Sequence, residues 1–250
     1  MIADTATTWA LTGAAALGAG VLNAIAGGGS FLTFPALVFA GMPPLAANAT
    51  SAMAVSPGYL GSTLGFKAQL RELPPRLLRA EMLTAAVGGL IGAALLLLTP
   101  ARIFSGLVPW LLLLATALFA MGPRLSAMGQ GQGHPRIRQP GLLLVAIYGG
   151  YFNGGLGILL MALYTLAGES RLSTVNALKN LNSLVLSLLS VLAFAAAGAI
   201  VWPQALWMMA WATLGGWVGA RLAQRLPVVW VRRLVTVAGL VMSGVFFSRL

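Results

Sequence analysis

The side chains of this chain that could do chemistry are mostly neutral hydrogen-bond donors, and they form two groups far apart in the sequence. The candidate substrate-binding residues of the first group are Asn23, Gly27, Gly28, Gly29, Ser30, Asn48, Thr50 and Ser51. Those of the second group are Asn153, Gly155, Gly157, Asn176, Lys179 and Asn180. Amide, hydroxyl and backbone N–H donors with one ammonium group form a set that can bind a small anion.

The glycine run at 27–29 predicts a break in an apolar helix. Apolar residues lead into the run from Trp9 and out of it to Phe39, and each glycine costs about 1 kcal/mol against alanine inside a helix. Broken backbone at membrane depth is tolerated where it lines a cavity or is buried in protein. We expect Ser30 to cap the next helix, whose start would offer free N–H groups and partial positive charge to an anion. The alternative is that the glycines serve only close helix packing.

A second glycine-rich break at 153–157 matches the first at a nearly constant offset. The pairs 128 positions apart are Gly27 with Gly155, Gly29 with Gly157, and Asn48-Ala49 with Asn176-Ala177. The pairs 127 positions apart join Gly88, Gly89, Gly92 and Pro100 to Gly215, Gly216, Gly219 and Pro227. The ordered series predicts two copies of one unit, at 1–121 and 141–250, joined by a cytoplasmic linker at 122–140.

The composition is that of an all-α polytopic membrane protein. Hydrophobic residues make up 59% of the 250 residues and charged residues 8%, against about 25% charged residues in soluble domains. The net charge of +11 comes from residues in short loops, where it reports membrane topology, so we do not expect a nucleic-acid partner. With no cysteine, one histidine and no Ser/His/Asp pattern, we expect no enzyme, no catalytic residue, no metal site and no cofactor.

The distribution of basic residues predicts an inverted topology. The basic loops at 67–79, 122–140 and 221–233 should be cytoplasmic, and the uncharged loop at 199–203 should be outside. The segment 141–168 must then enter the membrane and return to the same side. Each repeat becomes one re-entrant or broken helix hairpin plus three transmembrane helices, and two such inverted repeats are a recurring transporter layout. The alternative is eight ordinary transmembrane helices.

Two stretches of the first repeat resemble the TauE/SafE family, which is also called the sulfite-exporter or TSUP family. They are Gly27-Gly-Gly-Ser-Phe-Leu-Thr-Phe-Pro-Ala-Leu37 and the helix start Asn48-Ala-Thr-Ser51, and the duplicated layout fits as well. The second copy departs from this pattern, with Leu156, Leu163 and Lys179 where a glycine, a proline and a serine would match. The resemblance implies a multi-pass transporter of a bacterial-type inner (plasma) membrane for sulfite, organosulfonates or related small sulfur-containing anions.

The charged residues argue against a cation path and leave one lysine as a candidate for the anion site. Four acidic residues are too few for a carboxylate-lined cation path, and we expect Glu81 to pair with Arg76 and Arg79. Asn176, Lys179 and Asn180 share one helix face. A lysine inside a membrane usually faces a cavity or partner, and the alternative is that Lys179 snorkels to the interface. The asparagines, Asn182 among them, can also serve only to bridge helices.

These observations predict a secondary transporter, in the leading interpretation an exporter, of a small sulfur-containing anion. A passive anion channel and a non-transporting membrane scaffold are the alternatives. The expected partners are the small anionic substrate and the lipid bilayer. The sequence does not identify the coupling ion, for which the proton is one candidate.

Overall fold

The computed structural model describes residues 5–25, 28–128, 133–222 and 228–248, and this part of the chain is helical without strands. The helices in chain order are α1 (Thr5–Ile25), α2 (Ser30–Phe39), α3 (Pro44–Gly65), α4 (Lys67–Arg71), α5 (Pro75–Leu98), α6 (Ala101–Met128), α7 (Arg138–Tyr151), α8 (Leu156–Leu166), α9 (Leu172–Ala196), α10 (Trp202–Leu222) and α11 (Val228–Phe247). A single 3-10 turn, Pro135–Ile137, precedes α7. The predicted all-α class is therefore confirmed for the described residues.

Two of the described helices, α5 and α9, are long and apolar enough to cross a membrane by length and composition. Three shorter apolar helices accompany them, namely α2, α8 and the Ala101–Ala117 part of α6. Large apolar side chains such as Leu83, Leu98 and Leu144 are exposed on the outside of the bundle. A soluble protein rarely exposes so much apolar surface, whereas a bilayer covers it.

Both glycine-rich breaks occur where the sequence predicts them. Before α2, Gly28 has a positive φ of 120°. Between α7 and α8 the chain is irregular, and Gly155 takes the left-handed conformation with φ 75° just before α8 begins. Because a side chain is unfavourable at positive φ, glycine suits both positions. We call these segments the first break (28–29) and the second break (152–155).

Helix contacts recur in matched pairs across the two halves. Helix α1 packs against α10 as α7 packs against α5, and α3 packs against α10 as α9 packs against α5. Likewise α2 contacts α3 and α11, while α8 contacts α9 and α6. The helices α3 and α9 contact each other, and so do α6 and α11.

Glycines allow the closest of these contacts at repeat-related positions. A Cβ at Gly88 or Gly92 would overlap residues of α7, and a Cβ at Gly215 or Gly219 would overlap the backbone of α1. Small residues let membrane helices approach in this way. Gly88 and Gly92 thus have the same packing role as their matches Gly215 and Gly219.

The two ends of the α7–α8 segment lie close together. The backbone N–H of His134 donates to the carbonyl of Leu166 over 3.0 Å. Just after α8, the Arg171 guanidinium lies 3.1 Å from the Glu72 carboxylate, which belongs to the connection between α4 and α5. The start of α7, the end of α8 and the α4–α5 connection are therefore neighbours.

Helices α1, α3 and α10 run in the same direction. Trp207 near the start of α10 donates its indole N–H to the carbonyl of Trp9 near the start of α1, and Gly219 near the end of α10 lies against Val21. Thr50, in the first half of α3, accepts a hydrogen bond from Val201 N, just before α10. The chain therefore starts α1 and α3 at one end of the bundle, and α2 lies between them in sequence.

Candidate functional site

A small cavity lies where the two breaks meet α3 and α9, and we call it the central cavity. Its lining residues are Asn23, Gly28, Gly58, Tyr59, Ser62, Gly157, Lys179 and Asn180. Its volume of about 10 Å³ holds roughly one water molecule. Five of its residues, Asn23, Gly28, Gly157, Lys179 and Asn180, are among those that the sequence predicts.

A larger cavity of about 320 Å³ adjoins the central cavity, and we call it the vestibule. The two share Asn23, Gly58 and Ser62. The vestibule lies among α1, α3 and α10, and its residues Gly61 and Thr213 are exposed at the protein surface. The vestibule therefore reaches the protein surface and borders the central cavity at the three shared residues.

Lys179 is the cationic residue of the central cavity. It lies two turns into α9, and only 9% of its surface is exposed. In the described part of the chain, the ion pairs are Arg138–Glu81 and Arg171–Glu72, so no described carboxylate pairs with Lys179. This burial does not favour a snorkelling lysine. Because an unpaired buried cation is costly, an anion in the central cavity would stabilise it.

The first break differs from the prediction at its helix start. Ser30 is not the cap of α2, because the residue before the helix is Gly29 and no side chain caps it. Instead the Oδ1 atom of Asn23 accepts hydrogen bonds from Gly28 N at 3.0 Å and Gly29 N at 2.7 Å. The N–H groups of Gly28 and Gly29, just before α2, are therefore paired with the chain itself. The predicted residue Gly27 lies outside the described residues.

Side chains of α3 hold the second break in place. The Nδ2 atom of Asn48 donates to the carbonyl of Tyr151 at 3.0 Å. Eleven residues further along α3, the Tyr59 hydroxyl donates to Oδ1 of Asn153 at 3.2 Å. Within the second half, the Tyr148 hydroxyl donates to the carbonyl of Gly154 at 2.7 Å. These bonds place the start of α8, with Gly157, at the central cavity.

The other predicted residues within the described part do not line the central cavity. They are Gly29, Ser30, Asn48, Thr50, Ser51, Asn153, Gly155 and Asn176. Several of them have structural partners: Ser51 pairs with the Thr33 hydroxyl at 2.6 Å, and the Asn176 amide donates to the carbonyl of Leu172 within its own helix. The predicted common face of Asn176, Lys179 and Asn180 is therefore only partly directed at the cavity.

Sequence reasoning predicted residues near the start of α3 and missed the contribution of its second half. Gly58, Tyr59 and Ser62 line the central cavity. The signal was the run from Pro57 to Ser62, which places proline, glycine, tyrosine and serine inside an otherwise apolar span. Small and polar residues in a membrane helix mark surfaces that face protein or a cavity.

The expectation for Glu81 is wrong. Its carboxylate is fully buried and bonds the Arg138 Nε atom, the Tyr164 hydroxyl at 2.9 Å and the Asn182 Nδ2 atom at 2.8 Å. Arg76 and Arg79, on the same helix, are exposed. The face of α5 that carries Glu81 points to α7, α8 and α9, so its partners come from those helices.

Comparison with known proteins adds the family. The sequence profile of the family "Sulfite exporter TauE/SafE" matches residues 12–246. A "Probable membrane transporter protein" of Haemophilus influenzae is 29% identical over 236 residues, which cover 90% of this chain and 89% of the relative. "Probable membrane transporter protein ORF9" of Sinorhizobium sp. is 29% identical over 241 residues, covering 92% and 88%.

A third relative, "Probable membrane transporter protein YfcA" of Escherichia coli strain K12, is 28% identical over 241 residues, covering 90% of this chain and 84% of the relative. No solved structure matches this chain. The profile covers nearly the whole bundle, including both breaks, the central cavity and the vestibule. The chain therefore belongs to the TauE/SafE family of membrane transporters.

Proposed function

We propose that this protein is a secondary transporter that exports a small sulfur-containing anion, such as sulfite or an organosulfonate, across a bacterial-type inner membrane. The substrate binds at the central cavity, which holds about one water molecule in this structure and opens further to admit the anion. The observation that carries this proposal is Lys179, a buried ammonium group without a described carboxylate partner, which faces the start of α8 at Gly157. An anion there would meet a full positive charge and the partial positive charge of a helix N-terminus.

Aromatic packing beside the central cavity supports a transporter rather than a channel. The vestibule extends to the protein surface among α1, α3 and α10. Toward the start of α3, Phe34 packs edge-to-face on Phe152 with ring centroids 5.4 Å apart and stacks on Phe246 at 6.0 Å. A passive channel needs a continuous polar path, whereas alternating access closes one side while the other is open.

We further propose that the two repeats are inverted and that α1–α2 and α7–α8 are re-entrant hairpins. The matched helix contacts support this arrangement, as does the closeness of His134 to Leu166 and of Arg171 to Glu72. With basic loops on the cytoplasmic side, the vestibule opens to the cytoplasm. Its residues on α3 and α10 lie in the halves of these helices that lead to the loops at 67–79 and 221–233.

Single-cysteine labelling tests this topology, because the native chain has no cysteine. Cysteines at Ala68 and Ser170 should react with a membrane-impermeant maleimide from the cytoplasmic side, and one at Ala197 from the outside. All three positions are exposed. Eight ordinary spans would put Ser170 and Ala68 on opposite sides, which would contradict the hairpin in the second repeat.

Flux into liposomes tests the function. The purified protein should carry radiolabelled sulfite or methanesulfonate down its concentration gradient, and an imposed proton gradient should change the rate if the proton is the coupling ion. A passive channel would instead carry the anion with an ionic current, and no imposed ion gradient would make it accumulate the anion against its own concentration gradient. Absence of flux for both anions would favour a scaffold and contradict the proposal.

A further inference from the structure

We infer that Asn23 determines the charge selectivity of the transport route, because it presents only hydrogen-bond donors at the point where the vestibule meets the central cavity. This inference rests on the proposed function, since it concerns the same anion route. It adds a role that differs from direct charge attraction by Lys179: Asn23 would select which molecules pass from the vestibule to the lysine.

The first break fixes the orientation of the Asn23 amide. Two backbone N–H groups, those of Gly28 and Gly29, donate to one atom of this side chain. Only the carbonyl oxygen of an asparagine can accept hydrogen bonds, so this atom is Oδ1 and the other is the NH₂ group. No described residue accepts a hydrogen bond from that NH₂ group. Among the described residues, its two donors are therefore not taken up, and we infer that they face a bound molecule.

The position of Asn23 makes that orientation matter. Asn23 lines both the vestibule and the central cavity, as do Gly58 and Ser62. Gly58 offers no side chain, and the Ser62 hydroxyl can donate or accept. Lys179 and Asn180 lie further in and line only the central cavity. A molecule moving from the vestibule to Lys179 therefore passes the NH₂ group of Asn23.

The polar groups along this route favour negative charge. None of the described residues that line either cavity is an aspartate or a glutamate. The bonds to Asn23 do not cancel the partial positive charge of the first break. The negative end of the side-chain amide dipole, Oδ1, binds the two N–H groups, so its positive NH₂ end points away from them. An oxyanion would accept hydrogen bonds from this NH₂ group, whereas Asn23 offers a cation no oxygen atom that is not already bonded to the chain.

Asn23→Asp is the decisive variant. An aspartate is nearly isosteric with asparagine and can still accept the two backbone hydrogen bonds of the break, so the fold should persist. It replaces the NH₂ donors by a second carboxylate oxygen and puts a negative charge on the route. Like charges at close range cost several kcal/mol, so methanesulfonate flux in liposomes should fall by about a hundredfold or more.

Asn176→Asp is the matched control. It makes the same chemical change in a residue that the sequence predicts as a substrate-binding residue but that lines neither cavity in the structure. Its flux should stay within about twofold of the wild type, since solvent screens the charge of a partly exposed side chain. Thermal unfolding in detergent should show both variants folded. If Asn23→Asp does not fold, Ser62→Asp puts the same charge at the same junction on another helix and should block flux equally.

The outcomes separate this inference from the proposed function. Wild-type flux in a folded Asn23→Asp variant, or equal losses in Asn23→Asp and Asn176→Asp, would overturn the role of Asn23 and leave the transporter proposal standing. If Asn23→Asp does not fold, normal flux in Ser62→Asp would overturn the proposed charge selection at this junction. No flux of methanesulfonate or sulfite through the wild-type protein would contradict the proposed function, and this inference with it.

Discussion

The two breaks start from similar glycine patterns but are held in different ways. The first break is held by its own hairpin, because Asn23 of α1 accepts the N–H groups of Gly28 and Gly29. The second break has one bond within its own half, from Tyr148 to the carbonyl of Gly154, and two from the other half of the chain, through Asn48 and Tyr59 of α3. The geometry of the second break therefore depends on how the two halves of the chain are placed, whereas the described bonds of the first break lie within one half.

The hairpins also differ where their helices pack on the rest of the bundle. The first relies on glycine contacts between α1 and α10 and on the bond between Trp9 and Trp207. The second has glycine contacts with α5 and, in addition, the buried Glu81–Arg138 pair. The matched helix contacts of the two halves thus carry unrelated polar bonds, and the ion pair with Glu81 secures α7.

The largest expected effect comes from removing the charge that joins the second hairpin to α5. Glu81→Ala leaves the partly buried Arg138 guanidinium without its partner and removes the acceptor of Tyr164 and Asn182. The free energy of unfolding should fall by about 3–5 kcal/mol. The measurement is chemical denaturation of the purified protein in detergent.

Glu72→Ala is the control for this prediction. Glu72 forms the exposed pair with Arg171, in which both side chains are more than half exposed. Its removal should cost about 0–1 kcal/mol. Equal losses for Glu81→Ala and Glu72→Ala would show that the buried network does not secure the second hairpin.

A smaller effect should come from Asn48→Ala, which removes a bond between the repeats and leaves the carbonyl of Tyr151 without its donor. We expect a loss of about 1–2 kcal/mol. Asn176→Ala removes only a bond within α9 and should cost less. If the two variants unfold at the same denaturant concentration, the second break does not depend on α3 in the way described.

The smallest effect should come from Tyr59→Phe, which keeps the ring and removes one hydrogen bond to Asn153. Side-chain hydrogen bonds between membrane helices average about 0.6 kcal/mol, and we expect a loss of that size in the same denaturation assay. A loss larger than that of Asn48→Ala would mean that the Tyr59–Asn153 bond stabilises the protein more than the Asn48–Tyr151 bond, which is the reverse of what we expect.

The sequence predicted the all-helical class and both breaks because these depend on local properties, apolar runs and glycine propensity. It also predicted Lys179 and Asn180, since polar residues in an apolar helix are conspicuous. It could not predict which residue pairs with the N–H groups at the first break, because Ser30 and Asn23 are both suitable acceptors and the path of the loop decides between them.

The partners of Glu81 and the role of Tyr59 were beyond sequence reasoning for a different reason. Both depend on which face of a helix meets which neighbour, and the neighbours are distant in sequence. Glu81 has basic residues nearby on α5, yet its face is turned to Arg138, 57 positions away. Tyr59 meets Asn153 across the repeats, 94 positions away.

The central claim is that Lys179 binds the anionic substrate, and substrate titration in liposomes with Lys179→Met and Lys179→Arg tests it most directly. Methionine keeps the aliphatic bulk and removes the charge, whereas arginine keeps the charge. The account predicts that the apparent affinity for sulfite or methanesulfonate weakens by about tenfold or more in the methionine variant. It predicts a smaller loss for arginine, with both variants still inserted in the membrane. An unchanged affinity in Lys179→Met would contradict the account and remove Lys179 from the site.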